Sequence, residues 1–183
     1  MDKLVKDSIE NLGSIDDKIR LNALQTILGI TENKVDWIYE VWDGLVNKLD
    51  DENSYQRSIA IMVLCNLAKS DSENRLAVSL QRILGHTRDE KFITSRQCLQ
   101  NIWKVAATSS QTREIVLDHL EKQFEGCAEE KHYNLLRQDI IQSLRLIYDM
   151  EKDDRILERA KGMVKKEQED KYRKKYESIL KTN

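Results

Sequence analysis

Residues 50–71, DDENSYQRSIAIMVLCNLAKSD, place one arginine, Arg57, at the start of a nearly unbroken apolar run. An acidic turn comes before this arginine, and Ala60 and Leu64 follow it at offsets of three and seven residues. These two offsets lie on one face of an α-helix. The stretch therefore predicts a helix that begins just after an acidic turn and buries its apolar face.

The same arrangement occurs three more times along the chain. Arg20, Arg57, Arg96 and Arg137 each follow an acidic turn, and they are separated by 37, 39 and 41 residues. The residues at the two later offsets are also mostly apolar in the other copies, namely Ala23, Ile27, Leu99, Trp103, Ile140 and Leu144. Another amphipathic segment precedes each acidic turn. Helix pairs repeated at about 40 residues bury their apolar faces by stacking side by side.

The repeat predicts an all-α fold, a right-handed α-α superhelix of about four helix pairs over residues 1–150. The first helices of the pairs are expected near 2–12, 35–49, 73–85 and 111–125, and the arginine helices near 17–30, 54–69, 91–107 and 131–149. Residues 151–183, which are rich in lysine and arginine, predict one charged helix near 153–181. We expect this helix to cap the last pair or to extend from it within a single domain.

The composition agrees with helices joined by short polar turns. The chain has no proline and only six glycines, whereas folds rich in tight turns need many of both. Apolar residues make up 40% and charged residues 34% of the sequence, and no apolar stretch approaches the roughly 18 residues that span a membrane. The three cysteines are far apart, so we expect buried thiols at Cys65 and Cys98 and a reducing, cytoplasmic compartment.

The acidic turn, the arginine and the alanine or leucine three residues later resemble the HEAT-repeat (armadillo-like) family over residues 1 to about 150. Two features depart from that family: the first helices lack proline, and only the first two copies keep the alanine. The resemblance implies that the arginines join acidic and amide partners in a structural ladder along the repeats. The alternative is that they line a groove for an anionic ligand. The ladder residues would be Arg20, Arg57, Arg96 and Arg137.

A second row of residues follows each arginine by one, five and about eight positions. In a right-handed stack this row faces the concave side, and here it is rich in amides, which can donate to and accept from an extended peptide backbone. Armadillo repeats use asparagine ladders with tryptophans in this way, although Gln and Asn also simply fill solvent-facing helix positions. The candidate binding residues are Gln25, Met62, Asn66, Gln97, Asn101, Lys104, Gln138, Gln142 and Arg145.

The tryptophans leave a further question open. Trp37 and Trp42 lie five residues apart with Tyr39 between them, so the three rings cannot all point the same way on one helix. One of them could reach the surface, where exposed aromatic residues mark interaction sites, or they could fill gaps between repeats. Trp103 stands at a buried offset, which favours core packing.

No catalytic motif is present, so the sequence predicts a non-catalytic scaffold or regulatory module that binds a protein or peptide. The histidines lack metal-ligand spacing and are expected at the surface, and no cofactor or metal is expected. The alternative is a nucleic-acid-binding protein, since HEAT-like repeats occur in DNA glycosylases that repair alkylated bases. The sequence pI of about 6.0 argues against a DNA-binding face. A fragment of a larger scaffold and any oligomeric state stay open.

Overall fold

The computed structural model describes residues 1–181, which form α-helices joined by short turns and contain no strand. The helices of the first half are α1 (Lys3–Asn11), α2 (Asp17–Ile30), α3 (Ile38–Asn47), α4 (Ser54–Leu67), α5 (Arg75–Gly85) and α6 (Phe92–Asn101). Those of the second half are α7 (Trp103–Ala106), α8 (Ser110–Gly126), α9 (Tyr133–Glu151), α10 (Asp154–Lys165) and α11 (Asp170–Leu180). The all-α prediction is confirmed, and within this range no helix is long and apolar enough to cross a membrane.

The chain forms two compact units, Met1–Cys98 and a second unit that begins at Leu99. The first unit contains α1 to α5 and most of α6. The second contains the end of α6 and α7 to α11. The predicted division of the chain at residue 150 stays a prediction.

At the start of the first two arginine helices, α2 and α4, side chains of the preceding turn cap free backbone N–H groups. The Asp16 carboxylate accepts from the N–H of Lys18 at 2.8 Å and of Ile19 at 3.1 Å at the start of α2. In the next turn Asn53 accepts from the N–H of Tyr55 at 2.9 Å at the start of α4. Polar turn residues therefore set the starts of these two arginine helices.

The helix α4 is enclosed on nearly every side, whereas α2 is not. In α4 both Ile59 and Val63 are buried, while the residues at the corresponding offsets in α2 are Asn22, which is exposed, and Thr26, which is half-buried. A polar row of this kind is what a terminal repeat presents to solvent. The α2 helix therefore has the surface of a capping repeat, and α4 that of an internal one.

The predicted single helix near 153–181 is wrong, because the chain turns back between α10 and α11. Both helices pack on α9. Arg173 stands 36 residues after Arg137, follows an acidic turn, and has the buried residues Tyr176 and Leu180 at offsets of three and seven. The tail is thus a fifth helix pair with the same arginine pattern. Its many opposite charges at helical spacing favoured one exposed helix and concealed the turn.

The α10 helix is tied to α8 by one arginine. The Arg159 guanidinium donates to Asp118 at 2.5 Å, to Glu121 at 3.1 Å and to Glu114 at 3.2 Å. These three acids lie on α8. The fifth pair is therefore joined to the preceding pair by charge as well as by apolar packing.

The structure also shows how far the cysteine and tryptophan side chains are buried. Cys65 and Cys98 are fully buried, as predicted. Trp37 and Trp42 are both buried, with 8% and 2% of their surface exposed, so packing accounts for both rings. Trp103 is half-buried, less than its offset predicts. The arginine helix predicted over 91–107 is interrupted at Ile102, and Trp103 begins the separate helix α7.

Candidate peptide-binding surface

Arg57 joins two acidic turns of the first unit. Its Nε and Nη2 donate to the two carboxylate oxygens of Asp89 at 2.8 and 2.7 Å. Its Nη1 donates to the backbone carbonyls of Asp51 at 2.8 Å and Glu52 at 3.1 Å. The guanidinium therefore holds its own turn and the turn of the next helix pair with charge-assisted hydrogen bonds.

The carboxyl group of Asp89 stays ionised at this position. Burial opposes the charge, but hydrogen bonds from Arg57, from the N–H of Lys91 and from His86 outweigh burial and lower the pKa of Asp89 to about 2. His86 Nδ1 lies 3.0 Å from Asp89 Oδ2, and its side chain is only 14% exposed. The prediction of a surface histidine is therefore wrong for His86, which packs against this carboxylate.

Arg137 occupies the corresponding position in the second unit but has different partners. Its Nη1 donates to Glu167 Oε2 at 2.8 Å, and its Nε donates to the carbonyl of Phe124 at 3.0 Å. The guanidinium carbon lies 4.4 Å from the Phe124 ring centroid and 5.1 Å from that of Tyr133. Both charged side chains are almost fully buried, at 7% and 1% exposure. Glu167 lies in the turn between α10 and α11.

The other two proposed ladder arginines lie in more exposed surroundings. Arg20 pairs with the exposed Asp17 and donates to the carbonyl of Ser14 at 2.7 Å. Arg96 is half-buried, with its guanidinium 5.8 Å from the Phe92 ring centroid. A common ladder through all four arginines stays a prediction. The buried and hydrogen-bonded guanidinium groups of Arg57 and Arg137 favour that role over an anion-binding groove.

An amide strip, defined as Asn101, Lys104, Gln138 and Gln142, lies in the second unit. Gln138 and Gln142 are four residues apart and share one face of α9. Lys104 Nζ donates to Asn101 Oδ1 at 2.7 Å. The α7 helix packs on α9, and Gln100 Nε2 donates to Asp139 Oδ1 at 3.0 Å beside the strip. The packing of α7 on α9 therefore places Lys104 and its partner Asn101 on a segment next to the helix that carries the two glutamines.

The side-chain oxygen of Gln138 differs from the other polar groups of the amide strip. Its Oε1 is buried and has no hydrogen-bond partner within residues 1–181. A buried acceptor without a donor costs about 1–3 kcal/mol of stability. The residue as a whole is half-buried, so a rotation of the Gln138 side chain would bring this oxygen to the surface, where an outside N–H group would satisfy it.

Two of the candidate binding residues are engaged by the fold. Asn66 is only 5% exposed, and its Nδ2 donates to the carbonyl of Leu28 and to Thr31 Oγ1, both at 3.1 Å. We therefore remove Asn66 from the binding surface, because its amide joins α4 to α2. Arg145 donates to Asp149 at 2.8 Å and to the carbonyl of Lys181 at 2.5 Å, which ties α9 to the end of α11.

The remaining candidates belong to the first unit. Gln25 is exposed on α2, and Met62 and Gln97 are half-buried on α4 and α6. The sequence did not single out Tyr55, which is 66% exposed on α4, or Glu167, which partners Arg137. The acidic turn before Arg173 was the available signal for Glu167. No comparable signal exists for Tyr55, since its position two residues before Arg57 is not apolar in every copy.

Comparisons with known proteins agree on the fold. Neither a protein-family model nor a curated protein matches the sequence. Two crystal structures of engineered proteins align with 98% of this chain and with 78% and 80% of their own, at TM-scores of 0.55 and 0.58 and identities of 14% and 18%. A designed armadillo repeat protein aligns with 96% of this chain and 80% of its own, at a TM-score of 0.58 and 13% identity.

These similarities show that the chain has the fold of armadillo/HEAT-like helical repeat proteins. At these identities they establish the fold alone. Within residues 1–181, no cluster of histidine, cysteine, aspartate and glutamate side chains is arranged to hold a metal ion.

Proposed function

We propose that this chain is a non-catalytic repeat scaffold that binds an extended protein or peptide segment at the amide strip of its second unit. Stacked helical repeats form extended surfaces of this kind. Side-chain amides suit the task, since each can donate to a backbone carbonyl and accept from a backbone N–H.

The buried, unpartnered Oε1 of Gln138 is the observation that carries the proposal. If the Gln138 side chain rotates outward, a peptide N–H would satisfy this oxygen, and Gln142, one turn further along α9, would meet the next polar group of the same segment. Lys104, which belongs to the amide strip, would favour a segment that carries an acidic side chain.

The test uses peptides selected against the whole protein from a random library displayed on phage. Their affinities are measured by fluorescence anisotropy for the wild type and for Gln138→Leu, which keeps the side chain's approximate size without its polar atoms. We expect the substitution to weaken binding about tenfold or more, which corresponds to about 1.4 kcal/mol. The melting temperature should stay level or rise, because an unsatisfied acceptor has been removed.

Gln111→Leu provides the matched control, since Gln111 is exposed on α8 of the same unit. Binding that survives Gln138→Leu but not Gln111→Leu would contradict the proposal. Selections are repeated with nuclease-treated protein. Affinity that disappears on this treatment would support the nucleic-acid alternative instead.

A further inference from the structure

The first unit exposes an apolar surface between α2 and α4 that the amide strip does not include. On α2, Leu21 and Leu28 are seven residues apart on one face, and on α4 Tyr55 and Met62 have the same spacing. Leu21 is 55% exposed and Tyr55 is 66% exposed, while Leu28 and Met62 are half-buried. We call these four residues the apolar seam.

Contacts at both ends hold the two rows of the apolar seam side by side. At the amino-terminal end the guanidinium carbon of Arg20, next to Leu21, lies 5.2 Å from the Tyr55 ring centroid. At the other end Asn66 Nδ2 donates to the carbonyl of Leu28 at 3.1 Å. The seam is therefore a fixed feature of the two packed helices, with its most exposed apolar groups at the amino-terminal end.

The charges at that end are predominantly negative. Four acids in the turns that begin α2 and α4 outnumber Lys18 and Arg20, and these acids are Asp16, Asp17, Asp51 and Glu52. The Asp17 side chain is 88% exposed even though it pairs with Arg20. A partner that buries an apolar side chain beside Tyr55 would thus gain from a positive charge next to it.

We propose that the apolar seam docks a partner segment that carries an aliphatic or aromatic side chain next to lysine or arginine. The aliphatic or aromatic group packs on Leu21 and Tyr55, and the cation lies against Asp17 and Glu52. Aromatic and aliphatic anchors of this type carry most of the affinity at small interfaces. The inference concerns only the first unit and uses no residue of the amide strip.

The probe is a fluorescein-labelled peptide of alternating lysine and phenylalanine, measured by anisotropy against the whole protein. Two comparison peptides replace lysine with glutamate or phenylalanine with serine. We expect saturable binding of the first peptide and at least about tenfold weaker binding of the other two. Leu21→Ser and Tyr55→Ser should each weaken the first peptide by about tenfold, and Glu52→Lys should weaken it by several-fold.

Val78→Ser is the control, because Val78 is 86% exposed on α5 of the same unit and should leave the affinity unchanged. The substituted side chains are exposed, so the melting temperature should be retained, and Leu21→Ser also leaves the Arg20–Tyr55 contact in place. Equal binding of the acidic peptide, or full affinity in Leu21→Ser, would overturn the proposal. So would self-association in sedimentation that Leu21→Ser abolishes, since a second copy would then occupy the seam.

Discussion

Arg57 and Arg137 occupy the same position in the repeat but are stabilised in different ways. In the first unit Arg57 donates to Asp89 with two nitrogens, and the Asp89 carboxylate also contacts His86 Nδ1 and accepts from the N–H of Lys91. Arg137 makes one bond to Glu167 and lies between the rings of Phe124 and Tyr133 in the interior of the second unit. The repeat therefore determines the position of the arginine in the helix pair. The neighbouring side chains determine how much that arginine contributes to stability.

Both ion pairs are almost fully buried, so the partners that remain after a substitution set the size of the expected effects. A buried ion pair gains little over an apolar pair, but removal of one partner leaves an uncompensated charge. That penalty should be larger for Arg137, because Glu167 and the two rings exclude water around it. At Arg57 the Asp89 carboxylate keeps hydrogen bonds from Lys91 and His86.

The largest loss of stability is expected for Glu167→Ala. It leaves the Arg137 guanidinium buried without its carboxylate, which should lower the free energy of unfolding by about 3–5 kcal/mol. Urea denaturation followed by circular dichroism measures the change. Glu169→Ala is the control, since Glu169 is exposed in the same turn. Equal losses in the two variants would show that the turn, and not the ion pair, sets the stability.

A smaller effect, which depends on pH, is expected at Asp89. Its folded-state pKa of about 2 lies below the ordinary value of 3.8, so the carboxylate contributes stability above about pH 4. That contribution is lost as the pH falls from about 4 to about 2. Asp89→Asn should therefore be less stable than the wild type at pH 7, and the difference should shrink across this window. A difference that stayed constant down to pH 2 would contradict the assigned role of the carboxylate.

The smallest effect is expected for Arg20→Ala. The Asp17 partner is exposed, and exposed ion pairs contribute only about 0–1 kcal/mol. The substitution should lower the unfolding free energy by less than about 1 kcal/mol in the same urea experiment. A loss as large as that of Glu167→Ala would mean that the burial of the paired carboxylate does not determine how much an arginine contributes to stability.

Much of the fold was predictable because the repeat has a strong periodic signal. The bounds predicted for the first arginine helix, 17–30, are those of α2, and turn side chains cap the starts of α2 and α4. The fifth pair was also encoded, in the acidic turn before Arg173 and in Tyr176 and Leu180. The alternating charges of the tail obscured it, because they are equally suited to one exposed helix.

The candidate surface was less predictable because side-chain partners depend on neighbouring helices. Position along the helix made both Asn66 and Gln138 candidate binding residues. In the structure the Asn66 amide is hydrogen-bonded to α2, whereas Gln138 has a buried oxygen without a donor. Arg145 was expected to face a ligand, but it holds the carbonyl of Lys181. A single sequence gives the row on which such residues lie and does not give the groups opposite them.

A double-mutant cycle on Arg137 and Glu167 tests most directly the claim that a buried arginine–carboxylate contact joins the fifth helix pair to the fourth. Unfolding free energies are measured for Arg137→Leu, Glu167→Leu and the double variant. We predict a favourable coupling energy of about 2 kcal/mol or more, so that the double variant is less destabilised than the sum of the single variants. Strictly additive losses would contradict the claim and would leave apolar packing and the contacts of Arg145 and Arg159 to hold the fifth helix pair on the fourth.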